Sequence, residues 1–308
     1  MKNVLVTGVA GFLGSHLCDE LLSRHYNVVG IDNFFRGKKE NLPKHENFKF
    51  YEQDLVIGLP LSILRDNKID TIFHYAAING TEHFYDKPYQ VFNDNIDITK
   101  NVMESAKLNG KIEKVIYTST SEIYGDNPPL PTKESEPILL NVFSDRDSYA
   151  SSKAIGEFYV KYWCKKSNSK YIILRPFNTY GKRMDNTKYG QVVPEFFRKT
   201  NEKEFTLIGD GSQTRSFCHV DDHKRLAVNM AESDKVDDEI LNIGNDEQIT
   251  ILQLAEKVHE TVGKEFNPKF LPPREYDTQR RQPDISKIKL LFSNYEFISI
   301  DEGLRKML

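Results

Sequence analysis

Tyr149 and Lys153 stand four positions apart in Tyr149-Ala150-Ser151-Ser152-Lys153, so on a helix they share one face. A free tyrosine ionises at about pH 10 and is a poor base at neutrality. A neighbouring ammonium, or a cationic ring bound beside it, favours the phenolate. Lowering the pKa by ~3 units takes ~4 kcal/mol of differential stabilisation. A second group of reactive side chains follows an apolar run: Thr118-Ser119-Thr120-Ser121-Glu122-Ile123-Tyr124-Gly125. Ser121 can polarise a hydroxyl or ketone and share its proton with Tyr149. Glu122 places a carboxylate beside the same centre, where it can move a second proton.

The third feature is Thr7-Gly8-Val9-Ala10-Gly11-Phe12-Leu13-Gly14. At a strand-to-helix turn Gly8 permits the tight bend, Gly11 lets backbone approach a pyrophosphate, and Gly14 lets the helix pack on the strand. The free N–H groups of the first helical turn and the positive end of its dipole suit phosphates. Asp32 follows Gly14 by 18 positions. A carboxylate there accepts hydrogen bonds from ribose hydroxyls and repels a 2′-phosphate, so NAD is expected over NADP. Arg36 and Lys38 follow nearby and leave a 2′-phosphate contact open. Asp54 is expected to face the adenine.

These groups need a scaffold, and apolar periodicity supplies one. Val4–Val6, Val28–Ile31, Phe48–Tyr51, Thr71–His74, Val115–Tyr117 and Tyr171–Leu174 read as strands. Helical patterns lie at 12–24, 86–109 and 148–166. Strands alternating with helices predict an α/β fold, a Rossmann-type doubly wound parallel sheet whose ligands bind at the carboxyl ends of its strands. Beyond Arg175-Pro176 turn residues accumulate. Residues 1–175 are therefore expected to form the NAD-binding domain, with 214–262 partly returning to it. A smaller α/β substrate-binding lobe is expected from 176–213 and 264–308.

Charge is nearly balanced, 42 Lys+Arg against 45 Asp+Glu, which argues against a nucleic-acid surface or a polybasic membrane patch. The three cysteines, Cys18, Cys164 and Cys218, are dispersed and read as reduced, packed thiols. The apolar N-terminal run is broken by glycines and followed by Asp19-Glu20, unlike a signal peptide. No run approaches a membrane span, so a cytoplasmic protein is expected. His74 ends a buried strand and reads as structural. His219 and His223 have metal-compatible spacing but read as packing, and no metal is expected.

Together the motifs resemble the extended short-chain dehydrogenase/reductases, in particular the NAD-dependent nucleotide-sugar epimerases, dehydratases and decarboxylases. The pieces are Thr7–Gly14, Asp32-Asn33, His74–Ala77, Asn95, Ser119–Gly125, Tyr149–Lys153, Arg175–Asn178 and Gly209–Asp222. The resemblance implies transient oxidation at sugar C4 by a tightly bound, recycled NAD, with Tyr149 as base. It assigns Phe12, Leu13, Asn33, Leu55, Ala76 and Asn95 to the cofactor site with Gly8, Gly11, Gly14, Asp32, Asp54, Tyr149 and Lys153. It assigns Asn178, Val192, Arg146, Arg215, Arg281 and Asp284 to a nucleotide-diphosphate sugar, expected to be a UDP-sugar. It also implies a homodimer joined through helices near 95–109 and 148–166.

Within that family, Asp32–Gly37, Ser119–Glu122, Arg146 and Arg280–Ile285 look most like UDP-glucuronate decarboxylases. The segment Ile78–His83, the interior of Tyr149–Lys153, and Ile208 depart from them. A 4-epimerase and a 4,6-dehydratase therefore stay open, as does a nucleotide sensor without turnover, against which Tyr149, Lys153 and Ser121 argue.

Overall fold

The computed structural model describes residues 2–186, 191–273 and 279–308. The chain opens with β1 (Asn3–Thr7), α1 (Phe12–Ser23), β2 (Asn27–Asp32) and β3 (Phe48–Glu52). Next come α2 (Leu61–Asp66), β4 (Thr71–His74), α3 (Thr81–Asp86), α4 (Pro88–Asn109) and β5 (Lys114–Thr118). A 3-10 turn (Ser121–Tyr124) precedes α5 (Asp147–Ser167), β6 (Lys170–Pro176) and β7 (Thr179–Tyr180). The sequence then gives way to shorter elements: α6 (Val192–Lys199), β8 (Phe205–Ile208), β9 (Thr214–Ser216) and β10 (Cys218–His219). α7 (Val220–Glu232), β11 (Glu239–Ile243), β12 (Gln248–Thr250) and α8 (Ile251–Val262) follow. The C-terminal elements are β13 (Pro268–Leu271), β14 (Arg280–Arg281), α9 (Ser286–Leu291) and α10 (Ile300–Arg305).

Seven of these strands form one sheet in the order β11-β6-β5-β4-β1-β2-β3, and every pairing in it is parallel. This is the doubly wound Rossmann order, extended by one strand. The order reverses between β1 and β4, and ligands bind at the carboxyl ends beside such a reversal.

Alternation along the strands divides the core in two. Val4, Val6, Val28 and Ile116 point to the face covered by α1 and α7, with Leu17, Leu21 and Leu226 packed on them. Leu5, Val29, Ile72 and Val115 point to the opposite face, covered by Ile98, Val102 and Val160 of α4 and α5. A parallel sheet buried on both faces has such continuous apolar strands. A separate cluster, including Phe196, Phe205, Phe217, Leu254 and Leu304, holds the smaller sheets together.

The six strands expected from the sequence are all present. The seventh, β11, escaped the apolar pattern because Glu239 and Asn242 interrupt it. Asn242 is fully buried, and its side chain accepts from the Tyr124 hydroxyl and donates to the Thr132 and Asp284 carbonyls. The expected helix at 86–109 is preceded by the separate short helix α3. Pro88 opens α4, since proline lacks the N–H that would continue α3 and suits a first helical position. Among the described residues no helix is long and apolar enough to cross a membrane.

Candidate active site

A cleft of about 970 Å³ runs across the carboxyl ends of β1, β2, β4 and β5 and is closed on its far side by residues of α6, β8 and β9. At one end lies the glycine turn. Gly8 has φ +71°, and a β-carbon there would stand 2.9 Å from the Ala76 backbone. A β-carbon at Gly14 would stand 2.1 Å from the Gly8 carbonyl oxygen, so α1 closes on the turn only with glycine there. Gly11 precedes α1, and no side chain caps that helix. Its first-turn amides, from Phe12, Leu13 and Gly14, therefore face the cleft as an anion cradle. Gly8, Gly11, Phe12, Leu13 and Gly14 all line the cleft.

Asp32 ends β2 and is 8% exposed. Its carboxylate accepts from the Ala10 N–H at 2.9 Å and the Phe34 N–H at 2.8 Å. Burial pushes its pKa up, against these backbone donors. Gly37 folds directly over it: a β-carbon there would lie 2.8 Å from the Asp32 Oδ1. Asn33, Asp54, Leu55 and Ala76 also line this end. The Asp54 carboxylate accepts from the Val56 N–H at 2.9 Å, and Asn101 holds the Leu55 and Val56 carbonyls from below. Arg36 leaves the Asp32 end, donating to the Asn79 carbonyl and pairing with Asp185 at 2.8 Å.

The reactive side chains meet where β5 ends. The Ser119 N–H donates to the Leu174 carbonyl at 2.7 Å, which locks the exit of β5 to β6. Thr120 then caps the 3-10 turn, its hydroxyl accepting from the Glu122 N–H at 3.2 Å. Ser121 and Glu122 consequently open into the cleft beside Tyr149 and Lys153 of α5. Beneath them, a buried Arg175–Glu157 pair at 2.7 Å ties β6 to α5. The Tyr149 ring stacks on Phe84 at 5.0 Å and 13°. Lys153 is 2% exposed, and its Nζ stands 4.4 Å over the Tyr117 ring.

Electrostatics distinguish these groups. Burial pushes the Tyr149 phenol up and Glu122 adds to the rise; a Thr120 hydrogen bond and the Arg36 charge act against it. Burial pushes the Lys153 ammonium down to about 7, with Glu157 acting in the opposite sense. Burial pushes Glu122 up, but the Arg281 and Arg146 guanidinium groups outweigh it and hold the carboxyl below its ordinary range. Arg281 lies 2.5 Å and Arg146 3.3 Å from the Glu122 carboxylate. The cleft thus holds a carboxylate, a protonated phenol and a lysine poised near neutrality. Such a set can exchange protons with a bound hydroxyl.

Of the substrate residues expected from the sequence, Arg146, Asn178, Val192, Arg215 and Arg281 line the cleft. Asn178 adopts φ +38°, a left-handed conformation that asparagine tolerates, and donates to the Ser216 carbonyl. Arg215 and Arg281 are register partners in β9 and β14. Asn95 and Asp284 are outside the lining. Asn95 is buried under it, its amide bonded to both backbone groups of Ile78 and to Ser152. The Asp284 carboxylate accepts from the Ser286 N–H at 2.8 Å.

Thr120 and Phe84 were missed as site residues, and Arg36 was weighed only as a 2′-phosphate contact. Thr120 sits within the hydroxyl cluster already singled out, so its signal was present. Phe84 carries no local signal, because only the tertiary fold brings it to Tyr149, and the same fold carries Arg36 from the Asp32 loop to the Asn79 carbonyl. His219 caps α7 through the Asp221 N–H, and buried His223 lies between the Tyr75 and Thr179 hydroxyls; both have packing roles.

The chain is 35% identical to UDP-glucuronic acid decarboxylase 1 of Danio rerio, over 99% of this chain and 71% of that one. Among solved structures it is similar to the UDP-glucose 4-epimerase of Thermotoga maritima with UDP-glucose, at TM-score 0.89 and 32% identity, covering 99% of this chain and 97% of that one. It is also similar to the UDP-glucuronic acid 4-epimerase of Bacillus cereus in complex with UDP-glucuronic acid and NAD, at TM-score 0.85 and 33% identity, with the same coverage. The model of one family matches residues 4–244, a span that contains the glycine turn, Asp32, the hydroxyl cluster and the Tyr149–Lys153 helix. By that match and these likenesses, the chain belongs to the NAD dependent epimerase/dehydratase family and is an NAD-dependent nucleotide-sugar-modifying enzyme.

Proposed function

We propose that the protein is a UDP-glucuronate decarboxylase acting through transient oxidation at C4. The observation that carries this reading is Glu122, held ionised beside Tyr149 by Arg281 and Arg146. A cluster of cations around one carboxylate suits a sugar that itself bears a carboxylate. The likeness to decarboxylases along 99% of the chain supports it.

The glycine turn and the first amides of α1 would hold the pyrophosphate of NAD, Asp32 the adenosine ribose, and Lys153 the second ribose. Gly14 supports this fit, since any side chain there would displace α1 from the turn. When bound, NAD supplies a hydride acceptor and a positive ring charge that favours the Tyr149 phenolate. Tyr149 then takes the proton of the C4 hydroxyl, and Ser121 bonds the resulting C4 oxygen. A carboxylate β to a C4 ketone leaves as carbon dioxide. The C5–C6 bond breaks and its electron pair passes to the C4 oxygen as an enolate. Ser121 and protonated Tyr149 steady that oxygen, and C5 takes up a proton that solvent supplies and the Glu122 carboxylate relays. Tyr149 finally returns its proton to the C4 oxygen as the alcohol is restored. The C4 centre thereby ends at its starting oxidation level, so the net reaction would consume no cofactor.

A second reading is a 4-epimerase of an acidic UDP-sugar. It is favoured by the 33% identity to a UDP-glucuronic acid 4-epimerase, and it uses the same oxidation without loss of carbon. Incubation with UDP-glucuronate, UDP-N-acetylglucosaminuronate, UDP-glucose and GDP-mannose, followed by mass spectrometry and NMR, separates the two. Loss of carbon dioxide from UDP-glucuronate is expected. An unchanged mass with an inverted C4 would replace decarboxylation by epimerisation. Retained turnover in Tyr149→Phe would remove both readings.

We further assign dimer formation to the outer faces of α4 and α5, where Phe158 is 69% and Tyr162 56% exposed one helical turn apart. Residues 1–175 with β11 are assigned to the cofactor, and the smaller sheets to the sugar nucleotide.

A further inference from the structure

Arg36 lies four residues beyond Asp32, on the loop that holds the candidate adenosine-ribose carboxylate. It nevertheless reaches to the opposite part of the cleft. One arm of its guanidinium donates to the Asn79 carbonyl, and the other pairs with Asp185 at 2.8 Å. Gly80, at φ +130°, packs against it: a β-carbon there would stand 3.0 Å from Nη1 and 3.3 Å from Cζ. The same turn is held from beneath by Asn95, bonded to the Ile78 N–H and carbonyl. Directly after it α3 begins, carrying Phe84 onto the ring of Tyr149.

We propose that Arg36 is a positioning residue for Tyr149: from the cofactor loop it clamps the Asn79–Gly80 turn that sets Phe84 on the Tyr149 ring. The proposal rests on the reading of Tyr149 as the base. It also gives Arg36 a place different from a 2′-phosphate contact, the role its sequence position suggests.

The charges around the phenol make this assignment specific. From the turn after β5, Glu122 opposes ionisation of Tyr149, while Thr120 hydrogen-bonds it. Arg281, Arg146 and Arg215 act on Glu122. On α5 itself the Lys153 ammonium stands over Tyr117 and is influenced by Glu157. His74, behind it, is held neutral by burial and by Lys153. On the α3 side, His83 lies near both Arg36 and Asp185. Arg36 is the cation among these that acts on Tyr149 in favour of the phenolate.

The test uses the full chain with Arg36→Gln and Arg36→Lys. Amide hydrogen exchange read by mass spectrometry, without ligand, is expected to quicken in Arg36→Gln across residues 78–84 while β1 and α1 keep wild-type protection; Arg36→Lys is expected to restore part of it. In turnover, the acid limb of the kcat–pH profile is expected to move to higher pH in Arg36→Gln, so that kcat is lost below the limb. The alkaline plateau and NAD affinity should be retained. Arg36→Lys should return the limb toward wild type. Unchanged exchange at 78–84 overturns the clamp whatever the turnover. Faster exchange throughout the chain, or an equal loss of kcat at every pH, makes Arg36 merely structural. A changed NAD/NADP preference with an unmoved limb returns it to the ribose. Turnover that survives Tyr149→Phe defeats the reading of the base, and the exchange result still decides the clamp.

Discussion

Glu122 and Arg281 meet at 2.5 Å inside the cleft, although 159 residues separate them in the chain. Arg281 is 4% exposed and also donates to the Gly125 carbonyl, so the guanidinium is fixed on both sides of the turn that carries Glu122. The pair joins the C-terminal strand β14 to the turn that follows the carboxyl end of β5.

Removing one partner of this pair should therefore do more than remove a charge. Glu122→Gln is expected to lower kcat by roughly 10²–10⁴-fold, the range of a positioned acid–base group, while leaving NAD affinity within about twofold. Steady-state kinetics with UDP-glucuronate and a cofactor titration measure both. An unchanged kcat would take Glu122 out of the chemistry.

The glycine turn makes a steric prediction. The β-carbon of Gly14→Ala would lie 2.1 Å from a backbone oxygen, which no rotamer can relieve. A cost of about 1–3 kcal/mol is expected from forced backbone shifts, together with weakened NAD binding as the first-turn amides move. Urea unfolding and NAD titration read the two effects. Gly58→Ala is a useful contrast, since a β-carbon there meets no atom within 4 Å, although its φ of +145° still strains an L-residue.

Lys153 predicts a pH dependence of folding in the cofactor-free protein. Its folded pKa is depressed by burial to about 7, whereas an unfolded lysine titrates at about 10.4. Between these values the unfolded chain binds more protons, so this group makes stability rise with pH, by at most about 1.4 kcal/mol per unit. Its cost is full below about pH 7 and vanishes above the unfolded value. Lys153→Met should accordingly gain most over wild type near pH 6.5 and lose that gain toward pH 9.5. Urea midpoints at both pH values decide it, and a pH-independent difference would contradict the depressed value.

Phe158 and Tyr162 test the assigned dimer. Both are exposed on α5 while Val160 between them is fully buried. Phe158→Glu with Tyr162→Glu should shift sedimentation from dimer to monomer and leave secondary structure intact. A wild-type chain that sediments as a monomer at micromolar concentration would refute the assignment.

Much of this site was legible because its parts are local. The glycine turn needs only a strand, three glycines at the right intervals and a helix. Tyr149 and Lys153 need only helical periodicity. Six strands declared themselves because both faces of a parallel sheet are buried, which leaves uninterrupted apolar runs. The seventh did not, because a buried Asn242 satisfied by Tyr124, Thr132 and Asp284 looks polar in the sequence. Short α3 was hidden for a related reason: six residues carry too little periodicity to stand apart from the helix after Pro88.

The sequence by itself determined the Rossmann scaffold, the family, and the glycine turn and Tyr–Lys helix, because each is encoded by spacing within a few helical turns or one strand. Tertiary structure alone decided which side chains converge. It turned Asn95 and Asp284 away from the cleft lining, set Phe84 against Tyr149, carried Arg36 to the Asn79 turn, and closed Arg281 onto Glu122. Those relations depend on chain crossovers of tens to more than a hundred residues. No local pattern records such a distance; only the packing of the sheet and its two flanking layers sets it.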